Sequence, residues 1–238
     1  MTPQSTEPRS RRERPAKLAL TRPGIIAAAV AVMRAEGLER VTMRRLAQEL
    51  DTGPASLYVY VRSTAELHAA VLDELLGAVD LTPAQAAGDW RDRLVRVLTS
   101  YIEVLFEHPS LARSALVARP SGEHYLDLVE ALLALLDEGG VPPGTSAWGI
   151  DLLLQVATAT AAEQSTRQQD VGARDDWDAL TVALGGASAD RHPHLAALAA
   201  DLLSGTGESR LEWSFRMMIN ALPATAPPSP APPEGDQP

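Results

Sequence analysis

The sequence predicts an all-α protein: a small three-helix unit near the N-terminal end, then a larger helical body. Three observations carry that expectation. No stretch alternates β-branched and polar residues as a strand would. Apolar residues recur three and four apart through most of the chain, as in helices with one buried face. Gly, Pro and Ser/Thr/Asp residues fall between those stretches, where helices stop and start.

Residues 1–19, MTPQSTEPRSRRERPAKLA, are rich in Pro, Ser and Arg and read as a disordered arm. Arg9, Arg11, Arg12, Arg14 and Lys17 suit an arm that follows phosphates or enters a minor groove, and suit simple solvation as well. Thr21 is placed to cap a first helix, with Leu20 and Ile25 spaced for a hydrophobic staple. Ile26, Val30 and Met33 extend its buried stripe, and Gly37 ends it.

Thr42 is placed to cap a second helix whose apolar side holds Met43, Leu46, Ala47 and Leu50. Asp51-Thr52-Gly53-Pro54 breaks it with a turn-prone Asp, a permissive Gly and a Pro that only opens helices. Leu57 and Val61 resume the period, so residues 54–62 read as a short third helix. This is the helix-turn-helix pattern, whose second helix enters the DNA major groove; geometry alone also fits a hairpin of any helical bundle. Gly53 to Thr64 contains no acidic residue. That favours the DNA reading, because a face turned to phosphates excludes negative charge.

Ser63-Thr64-Ala65-Glu66 has the form of a capping box opening a fourth helix, with Leu67, Val71, Leu75, Leu76 and Val79 inward. Residues 80–88 break the pattern. Asp89 then suits the cap of a helix from Trp90 to about Glu107, burying Leu94, Val97, Leu98, Tyr101, Ile102 and Leu105. Pro109 opens a short helix to about Ala118. Ser121 is expected to cap the next, which buries Tyr125, Leu128, Val129, Leu132, Leu133 and Leu136 before Gly139-Gly140. Thr145 is expected to cap a long helix from Ser146 to about Gln168, and a last helix runs from near Gly207 to Leu222. Between them, residues 169–206 are loose, with short helices near 175–184 and 194–203. Residues 223–238, with seven prolines, read as a disordered tail. The resulting domains are 20–66 and 67–222.

Composition narrows the function. The chain has 238 residues and no cysteine, which excludes disulfides and thiolate chemistry. No run of 18 apolar residues points to a membrane span, and the basic N-terminus lacks the apolar core of a signal peptide, so a cytoplasmic location is expected. Residues 1–62 carry eleven Lys/Arg and six Asp/Glu, a net +5, against ten and twenty-five in the remainder; the whole chain is −10. A basic end on an acidic body fits a DNA-reading head on a body kept off the duplex.

The stretch GIIAAAVAVMRAEGLERVTMRRLAQELDTGPASLYVYVRSTAEL, with its TMRRLA, SLYVYVR and STAEL runs, resembles the DNA-binding domain of the tetracycline-repressor (TetR) family. Matched position by position, the resemblance implies DNA contacts at Thr42 and Arg44, and on the recognition helix at Pro54, Ala55, Ser56, Tyr58 and Tyr60, with Arg62 and Thr64 beside it. Of these, Arg44 alone is built to grip guanine O6 and N7 bidentately, while Pro54 and Ala55 suit thymine methyls. Two positions depart from the family: Tyr60 stands where histidine is usual and Thr64 where lysine often touches phosphate. The first puts the preferred base sequence in question, the second the strength of backbone anchoring.

The stretch SLARSALVARPSGEHYLDLVEALLALLDEGGVP resembles that family's body more loosely, implying a small-molecule effector held between helices. Candidates to orient it are His68, Tyr101, Arg119, His124, Gln155 and Thr158, with Trp148 or Trp177 as a wall. The drug-binding members carry a histidine just before the Arg-Pro pair; Ala115-Leu116-Val117-Ala118-Arg119-Pro120 has none, so recognition of a tetracycline–magnesium chelate is not implied. The resemblance also implies a homodimer through the last two long helices. Candidate interface residues are Leu152, Leu153, Val156, Ala157, Thr160 and Ala161, with Leu211, Phe215, Met218, Ile219 and Leu222; the same residues would serve a protomer's own core equally well. Asp190, His192 and His194, and Asp175, Asp176 and Asp178, read as solvated loop and helix N-terminus rather than metal sites, and neither metal nor cofactor is expected. With no phosphate loop and no nucleophile elbow, the expected protein is not an enzyme but a transcriptional regulator, a repressor released from a palindromic operator by its effector. A regulator controlled by a protein partner, and a helical enzyme or carrier with a DNA-binding head, are the alternatives.

Overall fold

The computed structural model describes residues 19–116 and 120–228. The head is built from α1 (Arg22–Glu36), a 3₁₀ turn at Leu38–Arg40, α2 (Met43–Glu49) and α3 (Pro54–Leu57). The Thr21 hydroxyl accepts the Gly24 N–H at 3.2 Å and the Thr42 hydroxyl that of Arg45 at 3.2 Å, so both caps stand where the sequence puts them. Ile25, Ala29, Leu38, Val41, Leu46, Leu57 and Val61 close a core around the three helices.

The turn between α2 and α3 uses different residues from those expected. Asp51, at φ +46°, takes the left-handed position, while Gly53 at φ −83° is ordinary. Thr52 N–H reaches back to the Ala47 carbonyl at 2.8 Å and Asp51 N–H to Gln48 at 3.2 Å, which closes a Schellman C-cap. The third helix is also shorter than the predicted 54–62. It ends at Leu57, and residues 58–60 form a turn held by the Tyr60 and Val61 N–H groups on the Leu57 carbonyl. Val59-Tyr60-Val61 is a run of weak helix formers, so the helical period does not persist.

α4 (Thr64–Leu76) joins head to body. Ser63 accepts the Glu66 N–H at 3.1 Å as expected, but the Glu66 carboxylate closes on the N–H of Arg62 at 2.8 Å rather than on that of Ser63. The body follows as α5 (Trp90–Glu107), α6 (Pro109–Ala115), α7 (Glu123–Glu138), α8 (Pro143–Gln169), α9 (Ala173–Gly185), α10 (Pro193–Leu203) and α11 (Gly207–Ala221). The α5 and α8 helices form its centre, with α6 and α7 packed against both and α11 against α5. Arg93, 4 % exposed, donates to the Ala84 and Ala86 carbonyls and pairs with Glu138, tying the loop before α5 to the end of α7.

Two expected caps are corrected. α7 starts after Gly122 with no side-chain cap, so Ser121 does not fill that role. α8 starts at Pro143, two residues before Thr145, because Pro is well suited to a first helical position. The freed Thr145 hydroxyl, buried, instead donates to the Thr225 carbonyl at 3.4 Å. That contact belongs to a C-terminal segment that continues past α11 through a 3₁₀ turn at Leu222–Ala224 and lies along α8 as far as Pro228, so the tail expected from 223 is placed against the body up to that point. Residues 1–18 and 229–238, with most of the predicted arm and tail, lie outside the described residues.

The α9 and α10 helices pack on each other, and neither buries a residue. Among the described residues no helix is long and apolar enough to cross a membrane.

Candidate functional site

The α2–α3 corner presents one continuous exposed face. Thr42, Arg44, Pro54, Ala55, Ser56, Arg62 and Thr64 are all exposed, and Tyr58 is 52 % exposed. Tyr60 differs: it is half-buried and packs against the core. The two neighbouring arginines of α2 separate cleanly. Arg45 lies across α1 and α2, donating to Glu36 at 2.5 Å and to Glu49 at 2.9 Å. Those hydrogen bonds, Glu36 first, push its pKa further up and hold the Glu36 carboxyl below its usual range. Arg44 has no ion pair among the described residues and projects from the same helix beside a polar groove lined by Thr42, Arg45 and Gln48. One arginine braces the head; the other stands exposed and without an ion pair among the described residues.

Of the eight residues proposed to orient an effector, three converge. Tyr101 of α5 and Thr158 of α8, both buried, share a hydrogen bond of 2.7 Å, and Gln155 lies one turn before Thr158. They line a cleft of about 210 Å³, open on one side to solvent, together with Leu72 of α4, Leu116, Pro120 and Leu154. Burial pushes the Tyr101 phenol up, so it stays a neutral donor and acceptor. Tyr125 and Asp151 also line this cavity. The helical period puts Tyr125 in the core and does not single out Asp151; their place beside Tyr101 and Thr158 in the cleft depends on how the helices pack, which the period does not carry.

The other candidates are elsewhere. His68 Nε2 lies 3.0 Å from the Val41 carbonyl, at the junction of head and α4. His124 lies in a separate cleft with Gly77, Asp80 and Asp127. Trp148 stands on the outer side of α8 in an apolar hollow of about 800 Å³ with Leu152, Leu222 and Pro227, and Trp177 is exposed on α9. Arg119 lies outside the described residues.

The residues offered for dimerisation divide in the same way. Leu153, Ala157, Ala161, Phe215, Ile219 and Leu222 are buried inside the protomer. Val156, Thr160, Leu211 and Met218 are half-buried, and Leu152 is exposed. What the two helices present outward is Trp148, Leu152, Trp213 and Met217, each between 45 and 64 % exposed. Sequence periodicity places apolar residues on both helices, but it cannot say which of two apolar faces a monomer buries.

A three-helix head with an exposed helix-turn-helix, joined by one helix to a larger helical body with a cleft between its helices, defines a DNA-binding regulator with a sensing domain. The chain belongs to the tetracycline-repressor family of bacterial transcriptional regulators: residues 25–71 match the tetR family of bacterial regulatory proteins, and residues 82–225 the tetracyclin repressor-like C-terminal domain. An HTH-type transcriptional regulator of Saccharopolyspora erythraea is 29 % identical over 212 residues, covering 87 % of this chain and 86 % of the relative. The transcription regulator SCO7704 of Streptomyces coelicolor is 58 % identical, with a TM-score of 0.75 over 90 % of this chain and 100 % of that one. ActR of the same organism, solved in complex with actinorhodin, is 35 % identical, with a TM-score of 0.77 over 90 % and 100 %. These relatives are named as transcriptional regulators, and this chain is likewise a transcriptional regulator.

Proposed function

We propose that this protein is a repressor that binds a palindromic operator as a homodimer and leaves it when a small molecule fills the body cavity. The carrying observation is Leu72: the helix that holds the head also forms a wall of the cavity. An occupant that displaces this wall biases α4 between two tilts, and so the spacing of paired heads. A cavity there favours a small molecule over a protein partner as the controlling ligand. Its apolar walls with phenol, hydroxyl, amide and carboxylate groups suit a planar aromatic compound bearing hydroxyl and carbonyl groups. The likeness to ActR, solved with actinorhodin, supports that class. At about 210 Å³ the cleft is smaller than the roughly 300–1,000 Å³ of drug-sized sites, so a polycyclic occupant extends out of it or displaces its walls, Leu72 of α4 among them.

The test selects DNA fragments with the purified protein from a random library and then titrates actinorhodin into the complex. Release of a fragment with an inverted repeat is the expected result; retention at saturating compound, with bound compound detected, overturns the effector class.

Dimerisation is supported by the outward apolar side chains of α8 and α11 and by the hairpin of α9 and α10, whose Trp177, Leu180, Leu198 and Leu202 find no core of their own. Leu152→Asp, at an exposed position, is expected to leave helicity intact and to shift sedimentation at micromolar concentration from two chains to one. Two chains in the variant would place the interface elsewhere.

A further inference from the structure

The first turn of α7 is capped by a residue from another helix. Asp73 of α4 accepts the Tyr125 N–H on its Oδ1 at 3.0 Å, at the start of a helix with no cap of its own. A carboxylate there satisfies an orphan donor and faces the positive end of the helix dipole. The approach is so close that a Cβ on Gly122 would lie 1.9 Å from Asp73 Oδ2. Gly122 itself, at φ −90° and ψ −177°, has a backbone open to any residue, so Asp73 and not the backbone requires a glycine. One turn further along α4, a Cβ on Gly77 would lie 3.0 Å from the His124 ring. Two contacts a turn apart thus seat α7 on α4. Tyr125, whose N–H Asp73 holds, lines the cavity, as does Leu72 immediately before Asp73.

We propose that Asp73 is the positioning residue that fixes the tilt of α4 to the state of the cavity, through its grip on the first turn of α7. The proposal rests on the reading of this protein as an effector-released repressor. With the clamp closed, α4 and α7 move as one body, and displacement of Tyr125 by an occupant is carried to the head. With it open, α4 samples more tilts and the paired heads lose their register.

The test uses the full-length protein, a DNA fragment selected by the wild type, and a shortened fragment retaining one half of its repeat. Gly122→Ala places a methyl where the carboxylate lies, and Asp73→Ala removes the carboxylate. Each is expected to lower affinity for the complete site at least tenfold and to leave half-site affinity within twofold. Because both open the same clamp, the double variant should match Asp73→Ala alone. Wild-type affinity for the complete site in both variants, or equal loss on both fragments, overturns the proposal. Should the alanine variants fail to fold, Asp73→Asn keeps an acceptor oxygen and carries the test: a partial loss of complete-site preference is expected, and full retention overturns it. A wild type that enriches no fragment defeats the repressor reading instead, a result separate from any difference between variants.

Discussion

Phe215→Ala is expected to unfold the protomer at markedly lower temperature and to cost about 3–5 kcal/mol, the range for removing a fully buried aromatic ring. Phe215 is completely buried, and its helix, α11, reaches the centre of the body mainly through α5. Removing the ring leaves a cavity between packed helices, so lost transfer energy and cavity cost add. The variant also discriminates between the two roles open to this residue. If Phe215 belonged to the interface, as its position on the last helix implied, alanine would shift the oligomeric state and make stability depend on protein concentration. Thermal unfolding at two concentrations checks this: a large drop of similar size at both places the ring in the core.

Ser56→Glu is expected to abolish DNA binding while leaving the fold unchanged. Ser56 is exposed near the start of α3, a position where glutamate suits the helix N-terminus, so stability stays within about 0.5 kcal/mol. Facing a duplex, the same carboxylate meets phosphates across a surface otherwise free of negative charge from Gly53 to Thr64, and like-charge contact costs on the order of several kcal/mol. Fluorescence anisotropy with a selected fragment should show no binding at a salt concentration where the wild type saturates. Arg44→Ala is the milder companion, expected to cost about 1–3 kcal/mol and to relax preference at a single base pair. Wild-type affinity in Ser56→Glu would remove α3 from the groove altogether.

Much of this architecture was legible in the residues, and the exceptions have physical causes. The caps at Thr21, Thr42, Ser63 and Asp89 act locally, between a side chain and a backbone group two or three residues on, so the sequence contains both partners. Ser121 and Thr145 do not cap: α8 already begins at Pro143, and the start of α7 and the Thr145 side chain find their partners far along the chain. Asp73 supplies an acceptor to α7 from 52 positions away, and Thr225 draws the Thr145 hydroxyl from 80 away. The exposure of the α2–α3 face followed from the motif. The cavity did not: Tyr101 and Thr158 were found as polar groups on apolar faces, whereas His68 and His124 have the same signature and serve other surfaces. A polar residue on a buried face says that a partner exists and not which one.

The hairpin of α9 and α10 contributes nothing to the protomer's interior, and this has a bearing on mutational freedom. Substitutions along 173–203 leave the packing of α5 and α8 untouched, so this stretch can change in size, charge or length at little cost to the energy that keeps the head and sensor assembled. Selection for a new partner surface thus has a part of the molecule where it can act without first being opposed by folding.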